Sequence, residues 1–489
     1  QDVVLQNPEP LRQAPSGFSQ LHLLHKVRYQ PHERLDLRYS FHYSETSDYG
    51  RFDRHLRTRN GQPRYAEWRY GPQVWLMNRL ELTHRHPNSL YNALTLRLAH
   101  QRFDESRISR NLNSPTRSTR RERVQALSAN LDFLKILSPK NTLYYGLEAV
   151  VNDVHSQGEE ADVWATPVQP PVSQPGPSRY PQALLQSYAA YVRTQHTFSP
   201  KLLFEAGARY NHFVLHADFD TTFFPLPFTQ AQLDRGALTG STGLVYKPGR
   251  QWVLAVHAST GFRAPNVDDI GKVFDSEPGA VVVPNPDLDA EYVYTAEVGL
   301  SKTWQAAWGE WLRLELNTFA TLLDNALVRR DFQLGGQDSL VYEGVLSQVQ
   351  AIQNAAQARI WGVQGQVELV LPVGLRLFST LSHQTGEEEL DDGSRSPVRH
   401  AAPLFGETRL TYTYKKLRAQ LYAQYQGSLA YEELAVNERN KPELYAADDQ
   451  GRPYAPAWYT LNLKLRYQFS EVFSLTAGLE NITDVRYRP

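Results

Sequence analysis

The chain has 489 residues, no Cys, a single Met (Met77), 27 Tyr, 20 Phe and 9 Trp, and a formal net charge of −1. The lack of Cys excludes disulfides, thiolate metal sites and cysteine nucleophiles. The near-zero charge gives no reason to expect a nucleic-acid partner, and no apolar run approaches the roughly 18 residues of a membrane-spanning helix.

From Ser19 onward, segments of about ten residues alternate apolar and polar side chains. Over 35–44, every odd position is Leu, Tyr or Phe and every even position is polar; over 459–469, aromatic residues close both ends of a Leu-rich face. Successive side chains of a strand point to opposite faces, so each segment is predicted to be a strand with one apolar face. Aromatic residues near the ends of that face are typical of membrane β-barrels.

The connections between these segments alternate in length. Short links are predicted at 31–34, 138–141, 199–201, 248–251, 306–310, 372–374, 415–417 and 470–471, and long ones at 45–72, 103–122, 155–184, 215–235, 263–290, 326–350, 385–402 and 428–456. Short turns on one side and long loops on the other are expected of an outer-membrane barrel. We therefore predict an all-β fold, a transmembrane antiparallel β-barrel with about 18 visible strands over 19–489, after a lead-in loop at 1–18. A soluble β-sandwich array or a propeller is the alternative.

Arginine is concentrated in the first two long loops. Of the 51 cationic residues only eleven are Lys, and the forty Arg have a planar fork that binds carboxylate and phosphate in bidentate fashion. One interpretation is recognition of an anionic ligand through charge-assisted hydrogen bonds. The other is contact with lipopolysaccharide phosphates or local ion pairing with Asp53, Glu67 and Glu105. The candidate ligand-binding residues are Arg51, Arg54, Arg57, Arg107, Arg110, Arg120 and Arg121.

The stretch 259–300 is predicted to be strand, long loop, strand. Both ends are rich in Val, Thr and aromatic residues, whereas the insert carries Pro265, Pro278, Pro284 and Pro286. Proline lacks a donor N–H and restricts the residue before it, so we expect this insert to interrupt both helix and strand pairing.

Two motifs in this stretch, FRAP at 262–265 and NPDL at 285–288, resemble the boxes of the same names in TonB-dependent outer-membrane receptors. The final GLENITDVRYRP is similar to the region that precedes the last strand in that family. The segments RYAEWRYGPQ (64–73) and RHAAPLFGETRLTY (399–412) look like receptors of Bacteroidetes-type bacteria, and the resemblance extends over essentially the whole chain. The motif residues are Phe262, Arg263, Ala264, Pro265, Asn285, Pro286, Asp287 and Leu288, together with Glu291.

The resemblance implies a barrel of about 22 strands, of which we expect about 18 here, with the plug domain and the last strand absent from this chain. Two unpaired sheet edges should then remain. The family also implies a TonB complex acting through the missing plug, with outer-membrane lipid and lipopolysaccharide around a monomeric barrel. The motif boxes are expected to be structural, with Arg263 or Glu291 paired locally.

The resemblance leaves the ligand open. In haem receptors of the family a His between the two boxes can ligate iron, but 266–284 contains none, so only His155, His216 and His400 remain as loop candidates. The acidic segment from Glu387 to Asp392 carries hard oxygen ligands of the kind Ca²⁺ prefers, yet it matches no EF-hand loop and is expected to be solvated. No metal site, resident cofactor or catalytic set is predicted, so we expect no enzyme.

The predicted function is TonB-dependent uptake of a scarce ligand across the outer membrane, with an iron chelate, either a siderophore complex or haem, as the expected ligand. The alternatives are a passive porin-like diffusion channel, a receptor of the same family for cobalamin or another nutrient, and a surface adhesin without transport. Ferric chelates and haem propionates would both suit the Arg-rich loops.

Overall fold

The computed structural model describes residues 2–9, 12–59, 61–165, 173–224, 226–277, 279–342, 345–390, 392–399, 401–439 and 444–487. Strands dominate throughout. None of the short helices in the described part of the chain has the length and apolar character of a membrane span.

Eighteen long antiparallel strands, β1–β18, form one continuous wall within the described residues, in agreement with the predicted number. Each strand from β2 to β17 pairs with the strand before it and the strand after it in this series. The bounds are β1 Gln20–His32, β2 Leu35–Thr46, β3 Val74–Arg85, β4 Ala93–Asn111, β5 Thr116–Ser138, β6 Asn141–Asp162, β7 Gln182–Ser199, β8 Leu202–Asp218, β9 Gln230–Tyr246, β10 Trp252–Arg263, β11 Glu291–Ala306, β12 Gly309–Asp331, β13 Val345–Leu371, β14 Leu375–Glu389, β15 Phe405–Tyr414, β16 Leu417–Gln426, β17 Trp458–Gln468 and β18 Ser474–Leu479.

The two lateral edges of this wall do not pair with each other. Among the described residues, β1 pairs with β2 alone and β18 with β17 alone. The sheet therefore carries the two unpaired edges that were predicted.

The outward face of the wall is apolar, as the alternation predicted. Paired residues of neighbouring strands, such as Leu80 opposite Leu98 and Tyr210 opposite Leu238, leave their side chains largely exposed. Aromatic rings gather beside the short turns, where Phe133 stacks on Tyr145 with ring centroids 4.8 Å apart. An exposed apolar band with aromatic residues at its rim is the surface that lipid covers in a membrane barrel.

Charged side chains line the inward face and pair with one another. Asp36 is almost fully buried and accepts hydrogen bonds from Arg28 and Arg38, whose terminal nitrogens lie 2.7 and 3.1 Å from its carboxylate. Further along, Arg97 pairs with both Glu81 and Asp132. At these distances, the attraction within each ion pair offsets part of the free-energy cost of removing water from the charged groups.

Short and long connections alternate along the wall. Nine short turns occupy one end of the described wall, including one at 86–92 between β3 and β4 that was not singled out from the sequence. The predicted loop 103–122 is wrong as a loop, because β4 and β5 continue as a paired hairpin that leaves only 112–115 as its turn. Strands also extend into the predicted loops at 155–184, 215–235 and 326–350. Outside the membrane a strand needs no apolar face. The change to polar residues in these segments therefore indicates where the membrane ends and not where the strand ends.

The long connections carry their own small elements. The helices are α1 Phe52–His55, α2 Val267–Gly271, α3 Val436–Arg439 and a 3₁₀ turn at Tyr431–Glu433. The short strands are Tyr49–Gly50, Thr58–Arg59, Gln62–Pro63, Tyr65–Tyr70, Gln174–Gly176, Phe274–Glu277, Ala280–Val283, Ser339–Tyr342, Arg395–Pro397, Ala446–Ala447 and Pro453–Tyr454.

The insert between β10 and β11 is folded, contrary to the expectation that its prolines interrupt both helix and strand pairing. It contains α2, and Ala280–Val283 pairs in parallel with 348–351 of β13. Ile270 and Leu288 pack into a buried cluster with Leu215 and Leu233 from β8 and β9. Pro265 precedes α2, and Pro284 and Pro286 follow the Ala280–Val283 strand, so these prolines do not interrupt either element; Pro278 lies outside the described residues.

Candidate ligand-binding cavity

A cavity of about 610 Å³ opens among the long connections. It is lined by the first long loop, the β4–β5 hairpin, Glu160 of β6, Leu226 and the segments at 177–181, 219–224, 271–273 and 341–342. Ligand pockets in proteins commonly enclose about 300–1,000 Å³, so this volume suits a small-molecule ligand. The cationic lining residues are Arg51, Arg54, Arg107, Arg110, Arg120, Arg179 and Lys272, against the acidic residues Glu160 and Asp220.

The β4–β5 hairpin places like charges opposite each other on the cavity side. In its register Arg107 faces Arg120, and the next pair on the same face is Glu105 and Glu122. Like charges directly opposite each other across two strands are destabilising. The two successive pairs carry opposite charges, however, and the ion pair between Arg107 and Glu105 at 2.9 Å offsets part of this repulsion.

Aromatic rings hold several of these guanidinium groups in place. The Cζ atoms of Arg51 and Arg54 both lie 5.2 Å from the ring centroid of Trp68, and Arg107 lies 5.4 Å from that of Tyr70. On the opposite side of the cavity, Arg179 lies 4.7 Å from the ring of Tyr180. Stacking on a ring orients the guanidinium plane without using its N–H groups, although those of Arg51 already donate to Asp53 and Tyr70.

Some of the lining cations are already paired and others are only partly satisfied. Arg110 forms a two-pronged ion pair with Asp2 at 2.8 and 2.9 Å, and Lys272 contacts Asp268 at 3.2 Å. By contrast, buried nitrogens of four lining arginines have no hydrogen-bond partner among the described residues: Arg54 Nε, Arg107 Nη1, Arg120 Nε and Arg179 Nη1. Unsatisfied buried donors cost about 1–3 kcal/mol each, which an anionic ligand would recover.

Burial also shifts the pKa of ionisable groups here. The pKa of the Arg54 guanidinium is lowered by its burial and by the neighbouring charges of Arg57 and Arg51. The pKa of Tyr180 is raised by burial and by the hydrogen bond that its hydroxyl donates to Asp268 at 2.6 Å. An anion inside the cavity would oppose the first of these effects by stabilising the charged guanidinium.

Five of the seven predicted arginines line this cavity: Arg51, Arg54, Arg107, Arg110 and Arg120. Arg57 is not among the lining residues, and Arg121 points away from the cavity to pair with Glu159 at 2.7 Å. Local ion pairs of the predicted kind occur as well, between Arg51 and Asp53, Arg69 and Glu67, and Arg107 and Glu105. The role of the predicted arginines in ligand binding remains a prediction.

Sequence reasoning missed Arg179, Tyr180 and Lys272. All three are single residues in long connections, distant in the chain from the Arg-rich loops, and no pattern of spacing marked them. Of the predicted His candidates, neither His155 nor His216 lines the cavity. His155 contacts Asp153 and Gln182 at 3.0 Å, His216 is exposed, and His400 lies outside the described residues.

Residues of the FRAP and NPDL motifs form contacts that hold the two ends of the insert against neighbouring elements. Arg263 forms an ion pair with Glu291, the local pairing that the motif predicted, and its Nη1 lies 2.8 Å from Asp269. Pro265 is fully buried, and Asn266 caps α2 by accepting from the N–H groups of residues 268 and 269.

The NPDL half is held by buried amide contacts. The Asn285 side chain donates to the carbonyl of Ile352 at 2.8 Å and accepts from the Asp287 N–H at 3.0 Å, while Leu288 is fully buried. Phe262 stacks on Phe213 with centroids 6.1 Å apart. These contacts connect the motif to the neighbouring strands of the wall.

The described acidic side chains at the end of β14 do not gather around one site. Glu387 pairs with Arg395 at 3.0 Å, and Asp392 accepts from the Ser394 N–H at 2.9 Å. Burial raises the pKa of Glu388, and Asp391 lies outside the described residues. Within the described segments no group of three or more acidic or His side chains is arranged to hold a metal ion.

The fold defines the class, a membrane β-barrel whose long connections enclose an arginine-lined cavity. Over residues 25–482 the chain matches the family model described as "TonB dependent receptor-like, beta-barrel". The chain therefore belongs to the TonB-dependent receptor family, which is a receptor and transporter family of the outer membrane.

Solved structures with the same fold are similar to this chain despite low sequence identity. They include the copper transporter OprC (TM-score 0.74, 12% identity, 97% of this chain and 67% of that chain covered). The siderophore receptor PirA from Acinetobacter baumannii gives a TM-score of 0.68, 13% identity and coverage of 96% and 67%. The ferric citrate transporter FecA gives 0.67, 14%, 97% and 67%. This chain thus spans about two thirds of their length. No curated protein matches it in sequence.

Proposed function

We propose that this chain is the barrel of an outer-membrane receptor that takes up an anionic iron chelate, and that the chelate binds in the arginine cavity. The observation that carries the proposal is the set of buried, unsatisfied nitrogens on Arg54, Arg107, Arg120 and Arg179 around one cavity. Such groups favour a ligand that brings several negatively charged acceptors at once.

The chemistry of the lining favours carboxylate or catecholate chelates over neutral ones. A guanidinium fork matches a carboxylate in two parallel hydrogen bonds, and its interactions with charged acceptors are about twice as strong as neutral ones. Trp68, Tyr70 and Tyr180 add flat faces for an aromatic or planar ligand. Among proteins of the same fold, FecA is named for ferric citrate and FyuA from Yersinia pestis for ferric yersiniabactin.

Uptake would follow the mechanism that membership of the family implies. A ligand bound from the outside would pass through the barrel when a plug, driven by the TonB complex, moves. On this proposal the protein lies in the outer membrane of a Gram-negative cell with its cavity facing outward, surrounded by lipid and lipopolysaccharide. Iron starvation should increase the amount of the receptor, because the ligand is scarce.

Binding by the native receptor, purified from outer membranes, tests the ligand class. Ferric citrate, an anionic chelate, should bind more tightly than a neutral ferric trihydroxamate in isothermal titration calorimetry. Arg107→Gln and Arg120→Gln should each weaken ferric citrate binding by about 10- to 150-fold, because each removes a charge-assisted hydrogen bond of about 1.5–3 kcal/mol. The matched control is Arg121→Gln, next in sequence to Arg120 but pointing away from the cavity.

Two outcomes would contradict this proposal. Equal affinity for anionic and neutral chelates would remove the argument from charge, as would an Arg121→Gln variant that loses as much affinity as Arg120→Gln. Uptake of radioactive ferric citrate by cells tests the transport step. Uptake that persists after deletion of TonB would instead indicate passive diffusion through the barrel.

A further inference from the structure

Glu122 is the most unusual ionisable group beside the cavity. It lies on the same face of β5 as the lining residues Ser118 and Arg120, and only 4% of its surface is exposed. Neither of its carboxylate oxygens has a hydrogen-bond partner among the described residues. Ionising a buried carboxyl group that has no hydrogen bond costs free energy, so burial shifts its equilibrium toward the protonated, neutral form.

Glu122 faces charged groups from β4 and from its own strand, and a neutral group from β6. Across the hairpin, β4 presents the like-charged Glu105 directly opposite and the cationic Arg107 one pair further along. Its own strand contributes Arg120, and the partner on β6 is the neutral Ser156.

The segment at 177–181 closes the remaining side. Arg179 lies 3.8 Å from Glu105, and Tyr180, which is hydrogen-bonded to Asp268 of α2, interacts electrostatically with Glu122. The Ser156 hydroxyl accepts from the backbone N–H groups of both residues at 3.2 Å, which fixes this segment against the hairpin. None of these groups is a histidine.

These surroundings set two opposing influences on the carboxyl group. Burial and the charge of Glu105 raise the pKa of Glu122 to about 7, while Arg107 and Arg120 oppose that rise. An anionic ligand bound to the same two arginines would take away their stabilising effect on the Glu122 carboxylate and add its own negative charge. The bound state would then hold the proton more firmly than the empty state.

We propose that Glu122 couples anion binding in the arginine cavity to the uptake of one proton. This inference deepens the proposed function and rests on it, since it assumes that Arg107 and Arg120 bind the ligand. Arg107 and Arg120 stabilise the Glu122 carboxylate only through their electrostatic fields, and the carboxylate would repel an anion bound to them, so the cavity would bind its ligand best when Glu122 is neutral. Affinity would fall as the pH rises through the range in which the empty site loses its proton.

The size of the effect follows from proton linkage. If the bound site stays protonated up to pH 8, the dissociation constant should rise by about tenfold between pH 6 and pH 8, given an empty-site pKa of about 7. The probe must not titrate in this range. Pyrene-1,3,6,8-tetrasulfonate is a flat fluorescent tetra-anion whose charge is constant there, so it isolates the contribution of the protein.

The experiment is a fluorescence anisotropy titration of native receptor with this probe at pH 6, 7 and 8 and constant ionic strength. The wild-type dissociation constant should rise about tenfold, whereas Glu122→Gln should bind within about twofold of the wild-type pH 6 value at every pH. Calorimetry at pH 7.5 in two buffers of different ionisation enthalpy should show net proton uptake in the wild type and none in Glu122→Gln.

Two control variants make the result specific. Glu159→Gln removes a carboxylate that pairs with Arg121 outside the cavity, and His55→Asn removes the ionisable side chain that follows Arg54. Both should keep the tenfold pH dependence. Binding without pH dependence in the wild type, or a dependence that survives in Glu122→Gln or disappears in His55→Asn, would overturn the proton coupling alone. No binding of the probe at any pH would overturn the proposed anionic ligand together with it.

Discussion

Replacing Ile270 with Ala should loosen the insert between β10 and β11 without unfolding the wall. Ile270, in the last turn of α2, is fully buried, and its carbonyl accepts from the Asn285 N–H at 3.1 Å. Its side chain packs in the cluster that includes Leu215 and Leu288. Deletion of the buried methylene groups therefore weakens the attachment of α2 and NPDL together.

The expected magnitude comes from the burial of this side chain. Large-to-small substitutions in a core cost about 2–5 kcal/mol, and the lower part of that range applies where the surroundings can relax into the space. A surface insert can relax, so we expect about 2–3 kcal/mol of local stability to be lost. The amide of Asn285 should then exchange its hydrogen about 30- to 150-fold faster, because local opening controls that exchange.

Hydrogen exchange followed by mass spectrometry on the native receptor would measure this change. Peptides covering 280–290 should exchange faster in Ile270→Ala, while peptides from β2 and β15, which contribute no residue to this cluster, should not change. Leu346→Ala is the matched control, since this leucine is 69% exposed and its truncation removes little buried area. Unchanged exchange at 280–290 would refute the attachment, and equal acceleration in the wall strands would refute its local character.

Three further outcomes are expected. Arg263→Ala should increase chymotryptic cleavage of the insert by about 5- to 30-fold, because Asp269 and Glu291 lose a partly exposed partner worth about 1–2 kcal/mol, whereas Arg263→Lys should keep part of the protection. Gly406→Val should reduce the amount of heat-modifiable folded form on gels. A Cβ at this position would lie 2.2 Å from the Thr380 carbonyl oxygen and 2.9 Å from the Tyr425 ring. Gly365→Val is the control and should assemble normally, because the space at that position is open. Trp68→Leu should weaken pyrenetetrasulfonate binding by about 5- to 30-fold through loss of two cation–π contacts, and the wall variant Trp361→Leu should leave it unchanged.

Much of the wall could be predicted because its signal is local. The period-two alternation over 35–44 and 459–469 depends on neighbouring residues alone, and the short turns between strands do as well. The hairpin at 103–122 was mistaken for a loop because a strand above the membrane loses the apolar face by which strands were recognised. The folded insert at 263–290 was missed because its elements are stabilised by partners such as Leu215 and residues 348–351, which are distant in the chain.

The sequence by itself determined the number of strands, their alternation, the family motifs and the loops in which arginine is concentrated. Only the tertiary structure decided which arginines share a cavity. A strand places Arg120 and Arg121 on opposite faces, but the direction of each face depends on how the whole wall curves. The approach of Arg179 and Lys272 to the same space depends on the packing of separate long connections, and no pattern within any one of them contains that information.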